Sequence, residues 1–311
     1  DTFTHNIYYS IDPSGIGMTM LVTDHTGLTY DWTLPRDIVQ YLTTDPGYIY
    51  ITLATYDSEG TFIGQTDPID ICVIVPEDIV PTASIGDLSD VGGIVPTDWN
   101  IFVQGKSKLS FNISGEGAEG STITNYTVEV NGETFNKTET STIITSVLNN
   151  SGTNTITLTV TDSRNRSTTV TKDFEVVAYS SPVLDTYSAE RSDSSGTLVD
   201  DGEYLSYIIN GTIADCSGKN TATYSIGYTV DGSLVWVVVN ATETSTVLPG
   251  QTFAGGKSHN IYFKMVDSLG STVIVETTLE SVFKLVNINK SITAMALGKK
   301  SRAGIDEKLL E

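Results

Sequence analysis

The chain has 311 residues, 39% apolar and 18% charged, with 38 acidic against 17 basic side chains and a formal charge of -21. That length supports two or three domains, each with its own core, and a remainder rich in Thr, Ser, Gly and Asn is the composition of a β-rich globular protein rather than a disordered polymer. The acidity argues against nucleic-acid binding, which relies on clustered Lys and Arg, and no apolar run reaches the ~18 residues that mark a membrane span, so no membrane insertion is expected.

The first segment alternates apolar and polar residues at Phe3, His5, Ile7 and Tyr9, and again at Ile49, Ile51, Leu53 and Thr55. A period of two predicts strands. Between them, 34–42 reads as one short helix, with Pro35 at its first position and Ile38, Val39, Tyr41 and Leu42 as apolar positions. The stretch 75–81 carries two prolines, which remove donors and hold the chain extended, so it predicts a stiff connector. Strands follow over 108–114, 122–130, 140–148, 153–161 and 167–177, with Asn131-Gly132 as a tight hairpin turn. A boundary falls at 179–182. Further strands are predicted over 204–213, 221–230 and 234–240, with Asp231-Gly232 supplying another turn. After Lys290 the chain turns apolar and then basic. Asp1 is not an initiating residue, which implies processing or a start inside a longer product.

The tetrapeptide Asp-Ser-x-(Gly/Asn) occurs at Asp57, Asp162 and Asp267, at intervals of 105 residues, each time between two strand-like runs. Gly and Asn tolerate positive φ and Asp bonds its own turn backbone, so each copy predicts a hairpin. The period is about one immunoglobulin-like domain. The expected fold is therefore all-β: three tandem immunoglobulin-like β-sandwich domains at 1–77, 78–178 and 179–289, followed by a C-terminal attachment segment at 290–311.

Catalytic patterns are missing. His5, His25 and His259 lack metal-ligand spacing, and there is no nucleophile elbow, phosphate loop or dinucleotide fingerprint, so the protein is expected not to be an enzyme. The calcium candidate is the loop carrying Asp193, Asp200, Asp201 and Glu203, since hard Ca2+ prefers several oxygens from a flexible acidic loop. The alternative is an ion-free solvated loop, and no cofactor is otherwise expected. Trp99 and Phe102 are candidates for a surface that stacks on glycan rings, whereas Trp236, within an apolar run, is expected in the core. Cys72 and Cys216 are expected as buried, inert thiols. In the tail, Ile292, Met295 and Leu297 offer apolar anchors and Lys299, Lys300 and Arg302 a local positive charge, together predicting a docking segment.

Several stretches resemble a family of tail-associated structural proteins of phages infecting Gram-positive bacteria. They include Ala54-Thr-Tyr-Asp-Ser-Glu-Gly60, Phe102-Val-Gln-Gly-Lys-Ser-Lys108, Val160-Thr-Asp-Ser-Arg-Asn-Arg166, Arg191-Ser-Asp-Ser-Ser-Gly-Thr197 and Ala296-Leu-Gly-Lys299. The second turn departs from the commoner Asp-Ser-Arg-Gly by carrying Asn165. The resemblance covers nearly the whole chain and implies a non-enzymatic virion component. That component would be a tail or baseplate fibre or spacer, assembled in the host cytoplasm with other virion proteins as partners, contributing to attachment at host cell-wall glycan, and homotrimeric in keeping with particle symmetry. A bacterial surface adhesin, a head-decorating fibre and the non-catalytic part of a wall hydrolase are the alternatives.

Overall fold

The computed structural model describes residues 3–282, together with the backbone of two short paired strands, Asn287–Ile288 and Met295–Ala296. Ile292, Leu297, Lys299, Lys300 and Arg302 of the expected docking segment lie outside the described residues, and Met295 is described only as strand backbone. The chain divides into two compact units, Asp1–Gly93 with Gly105–Val176, and Ile94–Gln104 with Val177–Glu311.

In the first unit, strands β1 (Thr4–Ser10), β2 (Thr19–His25), β3 (Gly47–Tyr56), β4 (Phe62–Gln65) and β5 (Ile69–Val73) form one antiparallel sheet in the order β2-β1-β3-β4, with β5 also on β3. The long β3 serves two partners on one edge. Its Gly47–Ile51 half pairs with β5 and its Ala54–Tyr56 end with β4. The segment expected as a helix is a 3-10 helix, Arg36–Tyr41, preceded by an extended Pro35. It lays Ile38, Val39 and Leu42 against Ile49, Val73, Val75 and Ile79, and this cluster closes one face of the sheet. Cys72, expected to be buried, is exposed. It stands on β5, an edge strand whose first four residues all face solvent.

The same unit continues through β6 (Ser84–Ile85) and β7 (Ser89–Asp90), while β8 (Phe102–Val103) belongs to the second unit. Then come β9 (Lys108–Ser114), β10 (Ile123–Val130), β11 (Glu133–Lys137), β12 (Ser141–Val147), β13 (Gly152–Asp162) and β14 (Ser167–Val177). One sheet runs β12-β9-β6 with β7 also on β9, and the other carries the path β11-β10-β13-β14. Alternate residues are buried, among them Leu109, Phe111 and Ile113 of β9 and Ile156, Leu158 and Val160 of β13, as period-two strands of a sandwich require. The β10–β11 hairpin turns on Asn131 and Gly132, both at positive φ.

The second unit repeats the sandwich with β15 (Val183–Ser192), β16 (Tyr204–Thr212), β17 (Ala222–Val230), β18 (Ser233–Val239), β19 (Thr242–Val247), β20 (His259–Asp267) and β21 (Thr272–Leu279). Its sheets run β15-β16-β19 and β18-β17-β20-β21. Leu205, Ile209, Ile226, Phe253, Phe263 and Met265 form the centre of one core. Each such side chain stabilises the fold by about 1.5–3 kcal/mol on burial.

Candidate functional site

The Asp-Ser-x-(Gly/Asn) turns share one construction, and there are four of them among the described residues. At Asp57, Asp162, Asp193 and Asp267 the aspartate N–H donates to the carbonyl four residues on, at 2.9–3.0 Å, and its own carbonyl accepts from the residue three on, at 3.0–3.1 Å. The aspartate Oδ1 then accepts from the N–H groups two and four residues on, at 2.8–3.0 Å in every copy. The residue at the fourth position, Gly60, Asn165, Gly196 or Gly270, has positive φ. That explains the Gly/Asn restriction. The Asp193 copy is also legible as Asp193-Ser-Ser-Gly196, but it stands outside the 105-residue spacing.

Asp193 is also one of the four residues of the calcium candidate. Its Oδ1 holds the turn and additionally accepts from the Ser195 hydroxyl at 2.6 Å. The Ser195 hydroxyl is the chief reason its carboxyl lies below the usual carboxylate range. Asp201 and Glu203 are exposed and Asp200 is half-buried. Among the described residues no three His, Cys, Asp or Glu side chains come together as a metal-ligand group. Just before the turn, the Arg191 guanidinium is buried in a cage of carbonyls, from Glu280 (2.7 Å), Gly202 and Phe253 (both 2.9 Å), Ala254 (3.2 Å) and Lys257 (3.3 Å). Burial pushes its pKa down.

Two of the four turns are buried, and their third residue decides what they grip. In the first unit, Asp162 is 1% exposed and Arg164 4%. The Arg164 guanidinium donates through Nε to the carbonyl of Leu42 and through Nη2 to that of Val39, both at 2.9 Å, and through Nη1 to that of Ala118 at 3.1 Å; Nη2 also donates to the carbonyl of Glu119. Leu42 caps the 3-10 helix and Val39 lies in its last turn, where the Val39 carbonyl also accepts from the Leu42 N–H at 3.0 Å. Carbonyls at a helix end carry partial negative charge, so a cation there is favoured.

Arg166 adds a second grip, with Nε and Nη2 on the Asp45 Oδ2 at 2.9 and 2.6 Å and Nη1 on the Pro76 carbonyl at 3.0 Å. The other Asp45 oxygen accepts from the Val75 N–H at 3.1 Å. Gly120 completes the contact. Its φ is +80°, and a Cβ there would lie 2.4 Å from the Gln40 carbonyl oxygen. Only a glycine lets the backbones approach so closely.

In the second unit the third residue is Leu269, 5% exposed, buried with Val95, Val103 and Cys216, with Trp99, Ile101 and Tyr179 packed around them. Trp99 therefore has an apolar cluster against its ring, and Phe102 is half-buried in β8. Here the Asp267 Oδ2 accepts from the Tyr179 hydroxyl at 2.7 Å and from the Asn220 side chain at 3.4 Å. Burial, together with Asp267, outweighs a bond to Ser271 and pushes the Tyr179 phenol up to about 12. Cys216 is buried, as expected, and burial raises its thiol pKa. Trp236, expected in the core, lies instead on the outer face of its sheet, paired with Gly227. A Cβ on Gly227 would be 2.8 Å from the Trp236 ring, so the indole lies across the glycine.

The fold is built of antiparallel β-sheets, with aspartate turns whose third residue holds backbone carbonyls at Arg164 and apolar side chains at Leu269. Residues 1–306 match the family described as siphovirus protein of unknown function (DUF859), and the chain belongs to that family. No curated protein matches it. Among solved structures, it is similar to a Ca2+-stabilized adhesin that helps an Antarctic bacterium reach out and bind ice, with 13% identity and a TM-score of 0.40 over 90% of this chain and 65% of that one. Human CDH23 EC21-23 gives 12% identity and a TM-score of 0.38 over 90% and 88% of the two chains, and chicken CNTN1 FN1-FN3 gives 11% and 0.27 over 90% and 96%.

Proposed function

We propose that this siphovirus protein is a non-enzymatic structural component of the virion, a tail or baseplate fibre or spacer. In this reading it is assembled in the host cytoplasm with other virion proteins and projects its β-domains toward the host surface. The observation that carries it is the pair of buried turns. Asp162 and Asp267 commit Oδ1 to turn N–H groups, and the residues they present, Arg164 and Leu269, are consumed in holding neighbouring backbone and apolar side chains. Such groups hold segments together, which suits a spacer whose task is to transmit position. The family supports a place on a phage particle.

The test is direct. Purified particles are separated into heads and tails, each fraction is analysed by mass spectrometry for this chain, and gold-labelled antibody locates it by electron microscopy. Recovery with tails and labelling at the distal end support the reading. Recovery with heads, or absence from the particle, overturns it. For the attachment role, purified protein added to host cells should reduce phage adsorption; unchanged adsorption at saturating protein removes that part alone.

A further inference from the structure

Edge strands with free backbone N–H and C=O groups are normally guarded by charge, proline or irregularity. Most edges of this molecule follow the rule. β11 carries Glu133 and Lys137, β5 carries Asp70, and β21 carries Glu276. β2 carries Asp24 and two register shifts, while β4 and β12 are each paired through a register shift.

The exception is β18, Ser233-Leu-Val-Trp-Val-Val-Val239. It pairs with β17 through seven successive residues without a shift, and among the described strands it has no partner on its other side. It contains no charge and no proline. Leu234 is 47% exposed, Val235 38% and Val238 72%. Its centre is also rigid. The Trp236 indole lies across Gly227, has the Lys264 ammonium 4.0 Å from its ring centroid, and sits 6.4 Å from Tyr262. A fixed aromatic amid exposed aliphatic residues is the composition of an interface centre.

We propose that β18 is the seam between two copies of this chain, paired edge to edge and antiparallel about a two-fold axis at Trp236. Charge and register select a second copy as the occupant. A chain of charge -21 repels its copies at long range, so self-association requires a face where no like charges meet. In the antiparallel pairing centred on Trp236, Leu234 faces Val238 of the other copy and Val235 faces Val237. Asp231, the nearest acid before the strand, faces Ala241. Parity keeps Leu234, Trp236 and Val238 of both copies on one sheet face, so apolar side chains meet across the seam. The contact is isologous, and it predicts a dimer rather than the trimer expected from particle symmetry.

The test measures the mass of the full chain by light scattering and sedimentation across the micromolar range. The expected result is a concentration-dependent dimer. Val238→Lys introduces the missing edge guard at an exposed position. It should hold the mass at the monomer value at every concentration, with the melting temperature of the monomer unchanged. Ile274→Lys, on β21 at the opposite edge of the same sheet, should leave the dimer intact. A strict monomer, a trimer, or a dimer indifferent to Val238→Lys overturns the proposal. So does a dimer lost equally in Ile274→Lys. Should Val238→Lys melt early, slower hydrogen exchange of the 233–239 amides at high than at low wild-type concentration gives the independent answer; unchanged exchange counts against the seam.

Discussion

The turns at Asp162 and Asp267 have the same backbone bonds to within 0.2 Å, yet one grips through a guanidinium and the other through an isobutyl group. The aspartate and the positive-φ residue build the turn; the residue between them chooses the partner. Arg164 has donors for several carbonyls and so seats a helix end and a loop. Leu269 has none and so requires an apolar cluster. The remaining carboxylate oxygen follows the same division. The Asp267 Oδ2 is bonded by Tyr179, whereas the Asp162 Oδ2 is buried and makes no hydrogen bond.

The largest effect should come from removing the polar grip. Arg164→Ala leaves the buried carbonyls of Val39 and Leu42, and the partly buried ones of Ala118 and Glu119, without this donor and should cost about 4 kcal/mol in denaturant unfolding of the first unit. Arg164→Lys should recover only a minor part, because an ammonium cannot reproduce the planar fork. The apolar grip should be cheaper to break. Leu269→Ala forms a cavity among Val95, Val103 and Cys216 and should cost about 3 kcal/mol, confined to the second unit. Equal losses for the two alanine variants would erase the distinction between the grips.

The grips should also fail at opposite ends of the pH scale. Burial pushes the Asp45 carboxyl up, but the Val75 N–H and Arg166 outweigh it and hold the group below the usual carboxylate range. Its folded pKa is thus depressed, so its contribution is present above the ordinary value near ~4 and lost as pH falls through the folded value. Tyr179 is the reverse case. Its phenol is raised from 10.0 to about 12, so its contribution is full below pH 10 and lost as pH rises toward 12. Melting followed against pH should show an acid limb that Asp45→Asn makes shallower and an alkaline limb that Tyr179→Phe makes shallower. The smallest effect belongs to the Asp193 turn, one of the two that are not buried. Asp193→Ala removes the cap without a clasp behind it and should lower the melting temperature only slightly, equally with and without added Ca2+.

Much of the fold was legible because its signals are local. Alternation at Ile49, Ile51 and Leu53, the Asn131-Gly132 and Asp231-Gly232 turns, and the three aspartate turns each depend on a few consecutive residues and their φ preferences. The copy at Asp193 has the same turn bonds but falls outside the 105-residue period, so the repeat alone does not mark it. Cys72 and Trp236 went astray for another reason. An apolar neighbourhood in sequence is the same for a central strand and an edge strand, and only sheet order distinguishes them.

The sequence by itself therefore determined the β class, the turn chemistry and the family resemblance, all written in short-range patterns of side-chain period and backbone tolerance. Tertiary structure alone decided what each turn holds. Leu42 and Arg164 are 122 residues apart, and no local preference encodes that a guanidinium will meet a helix end across such a distance. The same holds for β18: its seven residues specify a strand, and only the absence of a second neighbour among the described strands makes that strand a free edge.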